Sequence, residues 1–374
     1  MTETKQNKIT VARLWSRYNG GIPTRAPIVL GIDREKFRTI CIYLKKRSDA
    51  ENYFQQQGLN CYYISRQKFF RIFNIAAIWR LVKIFKQEKV DILHCHRHQA
   101  TTYGTIAAKL AGVRVVFAHV HGLNRSKAPR RKFINSLVLK KVTRIFTVGE
   151  AVKKDVLAMN PSLKAEVIIS IGNSIDTSRF VNLNVSMEQV RKKIGVKSDS
   201  LVFGTVGRLM PTKGYLYLVE AFANVKKQIP HTELVFVGDG RCEDELKEQV
   251  KKCGVEGSVH FLGQRKDVPK ILRAFDIFVM SSIAEGIPRA LLEAMASGVA
   301  CIGTNAGGIP EIIRHNESGF LVDSQNHQAL AEAIIDLVKN EDKRNKFIKN
   351  GKSSIQDFHI DNTVNKTIFL YERL

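Results

Sequence analysis

The sequence is poor in the features of a secreted or membrane-spanning protein. Its six cysteines form no C-x-x-C pair and have no regular spacing, which disfavours a disulfide framework and a structural zinc site. No uncharged run approaches the length needed to span a bilayer, and the first twenty residues lack the apolar stretch of a signal peptide. We therefore expect a cytoplasmic chain with reduced thiols that is at most attached peripherally to the inner face of a membrane.

Acidic residues are scarce in one half of the chain. Residues 1–180 hold 33 Lys and Arg against 11 Asp and Glu, whereas residues 181–374 hold 26 against 24, so nearly all of the net charge of +24 lies in the first half. General solubility would not explain this segregation. The asymmetry indicates that the N-terminal half meets an anionic partner, whether phospholipid, lipid-linked phosphate or nucleic acid.

Short β-branched runs alternate with helix-period segments along the whole chain. Examples are "KITVARL", "VDILHCH" and "TRIFTVG" in the first half, then "SLVFGTVGRL", "TELVFVGDG" and "DIFVMSS" in the second. This alternation predicts an α/β fold with two Rossmann-like, doubly wound parallel sheets joined near residues 181–198. We assign residues 1–182 to a basic domain that binds the anionic partner, 183–355 to a second domain, and 356–374 to a helix that packs back on the first.

A glycine turn followed by two cations comes after one predicted strand of the second half. In "GTVGRLMPTKGYLYLVEAF" (204–222), Gly207 lets the backbone approach a ligand, and Arg208 and Lys213 can hold phosphate oxygens near a helix N-terminus. The stretch is neither a P-loop nor a dinucleotide G-x-G-x-x-G motif. A diphosphate is the expected ligand, although both residues could be ordinary surface cations.

Two acids stand eight positions apart in "EGIPRALLEAMASGV" (285–299). Pro288 suits the first position of a helix, so Glu285 lies in the preceding loop and Glu293 about two turns into the helix. A carboxylate accepts two hydroxyl hydrogen bonds from a sugar diol. Paired acids could instead be the acid and base of a glycoside hydrolase, but a hydrolase has no need of the adjacent diphosphate-binding residues.

These motifs resemble those of family 4 glycosyltransferases, which are retaining enzymes of the GT-B fold. The resemblance rests on the two glutamates with "GRLMPTKG" upstream, "GDG" in the middle and "AGGIPEII" downstream, in that order over residues 200–325. It implies that Arg208 and Lys213 hold the donor diphosphate, Glu293 the ribose and Glu285 the transferred sugar. Ser281 stands where the family commonly has proline, which could change the stiffness of the loop.

The resemblance extends to the first half, where His121 matches a histidine that ends a strand and Gly20–Gly21 match a glycine loop over the phosphates. Asn173 and Asp176 are also retained, with Ser174 in place of a glycine. The expected catalytic residues are His121, Glu285, Arg208 and Lys213. The expected donor-binding set is Gly20, Gly21, Gly207, Arg208, Lys213, Gly238, Gln264, Arg265, Glu285, Gly286, Ile287, Pro288, Leu292 and Glu293.

Three histidines alternate in "LHCHRH", so His94, His96 and His98 share one face of a strand. A metal site that also uses His119 is conceivable. No carboxylate or thiolate set accompanies them, and no D-x-D pair occurs in a plausible strand-end loop. We therefore expect no metal and no cofactor beyond the nucleotide-sugar substrate.

The basic stretch "NRSKAPRRKFINSLVLKKVTR" (124–144) is typical of an interfacial helix on anionic lipid. Its membrane- or acceptor-binding cations are Arg125, Lys127, Arg130, Arg131 and Lys132. The alternative is a sheet-covering helix with a solvated basic face. The earlier "KFFRIFNIAAIWRLVKIFK" (68–86) has the same basic and aromatic character, but its place before a strand favours core packing.

The sequence as a whole predicts a retaining transfer of a hexose-type sugar from a nucleotide diphosphate to an anionic, lipid-linked acceptor in lipopolysaccharide or polysaccharide assembly. Two alternatives are another GT-B enzyme with a soluble acceptor and a sugar-nucleotide epimerase. A third is a polyanion- or nucleic-acid-binding protein, which would leave the phosphate-binding loops of the nearly neutral half without a ligand. We therefore expect no nucleic-acid partner.

Overall fold

The computed structural model describes residues 8–23, 25–65, 74–123, 128–181 and 183–373. The chain folds into two compact units, residues 1–172 with 360–374, and residues 173–359. The boundary lies at Gly172 rather than at residue 182 as the sequence suggested. The stretch expected to be a linker contains a helix of the second unit, because Val190 and Ile194 give it a buried apolar side.

The first unit is built on a seven-stranded parallel sheet in the order β3-β2-β1-β4-β5-β6-β7. Its strands are β1 (Ile9–Trp15), β2 (Phe37–Lys45), β3 (Asn60–Ser65), β4 (Ile92–His96), β5 (Val115–Val120), β6 (Arg144–Thr147) and β7 (Ile168–Ser170). The helices between them are α1 (Ala26–Leu30), α2 (Tyr53–Gln56), α3 (Ile75–Gln87), α4 (His98–Ala111), α5 (Pro129–Val138) and α6 (Glu150–Met159).

The second unit repeats this plan with a six-stranded parallel sheet in the order β10-β9-β8-β11-β12-β13. The strands are β8 (Leu201–Val206), β9 (Thr232–Val237), β10 (Val259–Phe261), β11 (Ile277–Met280), β12 (Ala300–Thr304) and β13 (Phe320–Val322). The helices are α7 (Met187–Ile194), α8 (Tyr215–Gln228), α9 (Glu243–Lys252), α10 (Val268–Leu272), α11 (Arg289–Ala296), α12 (His327–Lys339) and α13 (Glu341–Ser354).

The last helix, α14 (Ile360–Glu372), belongs to the first unit. Its Tyr371 is 1% exposed and packs in a cluster with Phe37, Phe117 and Phe146 on one face of the first sheet. Aromatic burial of this size fixes the end of the chain to the strands that it covers.

The predicted parallel sheets are confirmed, with two differences at their edges. The strands β7 and β13, of three residues each, were not predicted. Among the described residues, no helix combines the length and apolarity that crossing a bilayer requires.

The helix α3 is capped and amphipathic. The Asn74 side chain accepts a hydrogen bond from the Ala77 amide (3.0 Å) at its N-terminus. Its residues Ala77, Ile78, Leu81, Val82 and Phe85 are buried, as the prediction of core packing requires. However, Ile75 and Trp79 are 64% and 61% exposed, so the other side of α3 is not an ordinary solvated face. Residues 68–73 of the predicted segment lie outside the described residues.

Candidate active site

The glycine turns of the second unit bring strand-end loops into direct backbone contact. The Gly207 amide after β8 donates to the Val237 carbonyl (2.9 Å). A Cβ atom on Gly238, whose φ is +137°, would lie 2.0 Å from the Gly207 carbonyl oxygen. A Cβ atom on Gly308 would lie 2.0 Å from the Gly286 oxygen. These glycines are therefore required for the close approach of neighbouring loops, and such loops hold ligands in open α/β sheets.

Lys213 and Glu285 form an ion pair at this edge of the sheet. Lys213 ends the turn Pro211–Lys213, and its Nζ donates to Glu285 Oε1. The Ser282 hydroxyl donates to the same oxygen (3.1 Å). The two side chains are 18% and 16% exposed. The sequence assigned these residues to two groups of one ligand, the diphosphate and the transferred sugar, and the structure places them in direct contact.

The loop of Lys213 is also fixed to the loop after β11 through backbone groups. The Ser281 hydroxyl donates to the Lys213 carbonyl (3.0 Å), and the Ile283 amide donates to the Thr212 carbonyl (2.8 Å). Proline at position 281 could not make the first bond. The serine therefore ties the two loops together where the family commonly has a stiff residue.

Arg208 differs from Lys213 in its polar contacts. It is exposed and makes no hydrogen bond or ion pair with the residues that the structure describes. A Cβ atom on the adjacent Gly207 would lie 3.3 Å from Lys213 Cε and 2.7 Å from the Tyr215 hydroxyl. The absence of a side chain at Gly207 thus leaves room for both the lysine and the tyrosine.

The helix α11 begins at Arg289, and Pro288 is its N-cap rather than its first helical residue as predicted. Glu293 is therefore the fifth residue of the helix, less than two turns from its start. Burial raises the pKa of the Glu293 carboxyl, against the opposing charges of Arg289 and Arg179. The Arg289 Nη2 donates to Glu293 Oε1 at 3.3 Å.

Two predicted donor-binding residues have side chains in the hydrophobic core. Ile287 and Leu292 are 6% and 0% exposed and pack with the apolar residues around α11. A ligand at this edge could meet them only through backbone atoms. The Ile287 carbonyl accepts a hydrogen bond from Asn173 Nδ2 (2.9 Å), which gives the retained asparagine a role in holding the loop.

Gln264 is exposed, whereas Arg265 is engaged with a neighbour. The Arg265 guanidinium donates two hydrogen bonds to Asp267, at 2.9 and 2.8 Å. This pairing, together with Lys193, holds the pKa of the Asp267 carboxyl far below its usual range. Arg265 is therefore oriented by Asp267.

In the first unit, both glycines of the predicted phosphate loop have positive φ values, +81° for Gly20 and +70° for Gly21. A Cβ atom on Gly20 would also lie 2.7 Å from the Ser48 hydroxyl oxygen. Pro27 lies in the first turn of α1, where proline is tolerated. Pro23 and Pro27 therefore do not prevent a helix from following the glycine loop.

Four imidazoles lie together near the carboxyl ends of β4 and β5. His121 stacks on His119 with 4.1 Å between ring centroids, and His94 stacks on His96 at 4.5 Å. Burial lowers the pKa of all four far below the usual value, and nearby arginines lower it further. The imidazoles are therefore neutral at physiological pH. The sequence grouped His94, His96 and His119 but did not connect His121 with them, and it placed His98 on the same strand, whereas His98 is the first residue of α4.

The nitrogen atoms of His94, His96 and His119 lie within 4.8 Å of one another, as the metal alternative requires. Two features disfavour a metal ion there. The His94 and His96 rings are stacked at 16°, so their in-plane lone pairs do not converge on one point. Arg13, which is 1% exposed, also places a positive charge beside His94 and His96.

The basic helix α5 exposes apolar side chains next to its cations. Arg130, Arg131 and Lys132 are exposed in its first turns, and Phe133 and Leu137 are 66% and 53% exposed. Only part of the helix, including Asn135 and Val138, is buried. The helix therefore has a buried side, as the sheet-covering interpretation requires, and exposed apolar residues beside its cations, as the interfacial one requires. Arg125 and Lys127 lie outside the described residues.

The comparisons with known proteins agree with the two-unit plan. Residues 186–354 match the family model of glycosyl transferases group 1, and residues 37–179 match that of Glycosyltransferase Family 4. The chain is 31% identical, over 78% of its length and 81% of the relative, to the UDP-Gal:alpha-D-GlcNAc-diphosphoundecaprenol alpha-1,3-galactosyltransferase of Escherichia coli. It is 26% identical, over 82% and 79%, to the N-acetyl-alpha-D-glucosaminyl L-malate synthase of Bacillus anthracis.

Among solved structures, HepE from Anabaena in complex with UDP is similar, with a TM-score of 0.82 and 21% identity over 98% of this chain and all of that one. At this identity the likeness shows the fold alone. Together with the 31% identical relative, these findings establish that the chain is a glycosyltransferase of GT-B fold, with a Glycosyltransferase Family 4 domain in its first half and a glycosyl transferases group 1 domain in its second.

Proposed function

We propose that this glycosyltransferase moves a hexose-type sugar, with retention of configuration, from a nucleotide diphosphate to a lipid-linked, anionic acceptor in lipopolysaccharide or polysaccharide assembly. The observation that carries the proposal is the Lys213–Glu285 pair, held among glycine turns at the carboxyl edge of the second sheet. A cation beside a sugar-binding acid suits a diphosphate-linked sugar. The similar HepE structure holds UDP, which supports a nucleotide donor.

The proposed chemistry uses no protein nucleophile. Arg208 and Lys213 stabilise the leaving diphosphate while positive charge develops on the sugar carbon. The leaving phosphate takes the proton of the acceptor hydroxyl, which attacks on the same face of the sugar. Glu293 holds the ribose diol, and His121 contacts the transferred sugar. No step requires a metal ion or a cofactor.

The lipid-linked acceptor is supported by the relative in Escherichia coli, whose name gives a diphosphoundecaprenol acceptor. The relative in Bacillus anthracis is named for a soluble acceptor, malate, so a soluble anionic acceptor is the second candidate. Both acceptors carry negative charge, which fits the excess of cations in residues 1–180.

A thermal-shift panel of UDP-, GDP-, ADP- and dTDP-sugars tests the donor assignment. Because a ligand that binds the folded state stabilises it by mass action, one nucleotide class is expected to raise Tm at millimolar concentration. Labelled donor and a diphospholipid acceptor should then give a glycosylated lipid at the same rate in excess EDTA. Absence of stabilisation by every donor would refute the proposal, and an epimer formed without acceptor would favour the epimerase.

Glu293→Gln is expected to raise stability while weakening donor binding. The folded state holds the Glu293 proton more tightly than the unfolded chain, because burial raises the pKa of this carboxyl. The free energy of unfolding therefore falls as the pH rises through the raised pKa. The variant should exceed the wild type in Tm at pH 7.5, and the difference should shrink at pH 4, where the wild-type carboxyl is protonated.

The affinity of Glu293→Gln for the donor should fall by about tenfold, since a hydrogen bond to an ionised group is lost. Glu256→Gln, which changes an exposed acid of the same unit, is the control and should alter neither Tm nor affinity. Equal Tm values for Glu293→Gln and wild type at both pH values would contradict the burial argument.

Membrane attachment is proposed to use α5 and the exposed apolar residues near it. The helix α4 contacts both α3 and α5. Each of the three exposes a large apolar side chain: Leu110 of α4 is 51% exposed, Trp79 of α3 is 61% exposed and Phe133 of α5 is 66% exposed. Arg130→Gln with Lys132→Gln should weaken binding to phosphatidylglycerol vesicles by about thirtyfold, at about 1 kcal/mol per cation. Co-sedimentation measures this effect.

The matched control for vesicle binding removes the same charge from the second unit. Lys192→Gln with Lys349→Gln changes two exposed lysines and should leave co-sedimentation within about twofold of wild type. An equal loss in both double variants would show that net charge alone, rather than α5, attracts the protein to the vesicle.

A further inference from the structure

Two of the six cysteines lie side by side in the first sheet. Cys41 of β2 is the in-register partner of Cys61 of β3. Two positions further along the same strands, the partners Tyr43 and Tyr63 stack with 5.6 Å between ring centroids. Because side chains two positions apart on a strand point to the same side, the two cysteines also share this face of the sheet.

The spacing of this pair suits a disulfide bond. Neighbouring strands lie about 4.8 Å apart, and the two Cα atoms of a disulfide are usually about 4.4–6.8 Å apart. Both cysteines are free thiols, and the Cys41 thiol interacts directly with that of Cys61. A bond between the two sulfur atoms therefore requires no change of register and no change of side-chain face.

The two thiols differ in their access to solvent. Cys41 is fully buried among aromatic and apolar residues. Cys61 is half-buried and lies in the wall of a surface pocket with Asn52 and Tyr63. A small oxidant therefore reaches Cys61 first, and Cys41 is placed beside it as the second thiol, the usual arrangement of a redox-sensitive pair.

A buried cation lies next to the inner thiol. Arg13 of β1 is the in-register partner of Cys41, on the side away from Cys61. It is 1% exposed, and its Nε and Nη2 have no hydrogen-bond partner among the described residues. Burial raises the pKa of the Cys41 thiol, and the charge of Arg13 opposes this effect. Because the thiolate is the attacking form of a cysteine, Arg13 favours the attack of Cys41 on an oxidised Cys61.

Aromatic residues connect the two thiols with the predicted phosphate loop. Tyr18 packs edge-on against Tyr43 and Tyr63, with 5.4 and 5.8 Å between ring centroids. Gly20–Gly21 follow Tyr18 directly in the chain after one residue. The Cβ atoms of a disulfide are about 3.8 Å apart, about 1 Å less than the strand spacing. A bond between the cysteines therefore draws β2 and β3 together beneath the stacked tyrosines, and in a close-packed cluster Tyr18 must move with them.

We propose that Cys41 and Cys61 are a dithiol site for hydrogen peroxide, and that their oxidation to a disulfide displaces Tyr18 and the Gly20–Gly21 loop and so slows sugar transfer. Disulfides of this kind in otherwise reduced proteins are transient and redox-sensing. The bond itself is independent of any sugar ligand. Its effect on transfer rests on the proposed function, which gives the glycine loop a place over the donor phosphates.

The reaction takes two steps. The Cys61 thiolate attacks one oxygen of hydrogen peroxide, the O–O bond breaks, and the released hydroxide leaves as water with the proton that the Cys61 thiol lost. The product is a sulfenic acid at Cys61. The Cys41 sulfur then attacks the Cys61 sulfur, the S–S bond forms as the S–O bond breaks, and the hydroxide leaves as water with the Cys41 proton. The two thiols lose two electrons in all, and one peroxide is reduced to two water molecules.

Peptide mapping of the full chain tests the site. After treatment with hydrogen peroxide, the remaining thiols are blocked with N-ethylmaleimide and the protein is digested with trypsin without reductant. Cys41 and Cys61 fall in separate tryptic peptides, residues 39–45 and 48–66. A cross-linked product of these two peptides is expected, and dithiothreitol should remove it. Complete alkylation of both thiols after peroxide, or a bond from either one to another cysteine, would overturn the site.

Single substitutions test the order of the two steps. Cys41→Ala should leave Cys61 as a sulfenic acid that dimedone labels, whereas Cys61→Ala, at a half-buried position, should protect Cys41 from the same dose of peroxide. Cys253→Ala, which changes a half-buried cysteine of the second unit, is the control and should form the cross-link like the wild type. Oxidation of Cys41 in Cys61→Ala as fast as in the wild type would contradict the proposed order.

Turnover tests the effect on transfer. Peroxide is expected to lower kcat/KM for the donor about tenfold, within the loss of about 10²-fold that a misplacement of about 1 Å can cause. Dithiothreitol should restore the rate, and neither Cys41→Ala nor Cys61→Ala should respond to peroxide. Equal turnover of the cross-linked and reduced wild type would overturn the link to the glycine loop. If the cross-link forms but no nucleotide sugar stabilises the reduced protein, the proposed function fails while the dithiol site stands. If donors bind and no cross-link forms, the dithiol proposal fails alone.

Discussion

Lys213→Ala is expected to lower kcat for sugar transfer by about 10²–10³-fold, the usual loss when one group that stabilises developing charge is removed. The lysine is held beside Glu285 at the edge where the glycine turns meet, so its loss removes a fixed positive charge from the place of the leaving diphosphate. Far-UV circular dichroism should match the wild type. The rate with saturating donor and acceptor measures the effect.

Two further variants distinguish a phosphate-binding lysine from one that only neutralises Glu285. In the second case, adding Glu285→Gln to Lys213→Ala would recover the wild-type affinity for the nucleoside diphosphate of the donor, because the unpaired carboxylate is gone; in the first, the double variant should bind it as weakly as Lys213→Ala. The nucleoside diphosphate has no transferred sugar, so the loss of a sugar contact at Glu285 does not affect this measurement. Lys227→Ala, an exposed lysine of α8, should retain wild-type turnover. Recovery in the double variant would reject the assignment of Lys213 to the diphosphate.

Arg191→Ala is expected to lower the free energy of unfolding by about 3–5 kcal/mol, the range for breaking a buried ion pair by removing one partner. Arg191 is 5% exposed and its guanidinium donates to Asp276 Oδ2 (2.7 Å). It also donates to the carbonyls of Ala274, Ser198 and Ser200 at 2.9–3.1 Å. Its removal leaves three acceptors without their partner.

Urea unfolding of the second unit measures this loss, with Lys192→Ala, the exposed neighbour on α7, as the control. Asp276 keeps its bond from the Val202 amide (2.7 Å), so the strands β8 and β11 should stay paired in the folded variant. Turnover well below the transition temperature should therefore be near wild type. The two substitutions are thus expected to have opposite outcomes. Lys213→Ala loses activity, whereas Arg191→Ala loses stability. An Arg191→Ala variant as stable as Lys192→Ala would contradict this account of the buried pair.

The sequence alone predicted the two parallel sheets because most of their strands have a recognisable local sequence pattern. Each central strand is buried on both faces and reads as a short β-branched run, and the loops after β8 and β11 contain the glycines and acids of the family motif. The edge strands β7 and β13, of three residues each, were missed. The helix α7 was missed because its polar composition conceals one buried apolar side.

The sequence predicted which residues belong to the candidate site but not which of them contact one another. The family motif indicated Lys213, Glu285 and Glu293, yet it gave no sign that the first two pair with each other or that Leu292 faces the core. Residue type and spacing report which groups gather at a strand end. They do not report which of those groups forms a hydrogen bond or ion pair with another, since that depends on side-chain direction in the folded loop.

The order and chemistry of the residues thus determined that this protein is a two-sheet α/β glycosyltransferase with a basic first half. Only the tertiary structure decided how the histidines are used. Tyr371 of α14 meets His94 of β4 across 277 positions of sequence, and Arg13 approaches both from the neighbouring strand β1. No local pattern specifies such contacts, because they arise when parallel strands and the last helix bring distant side chains onto one face of a sheet.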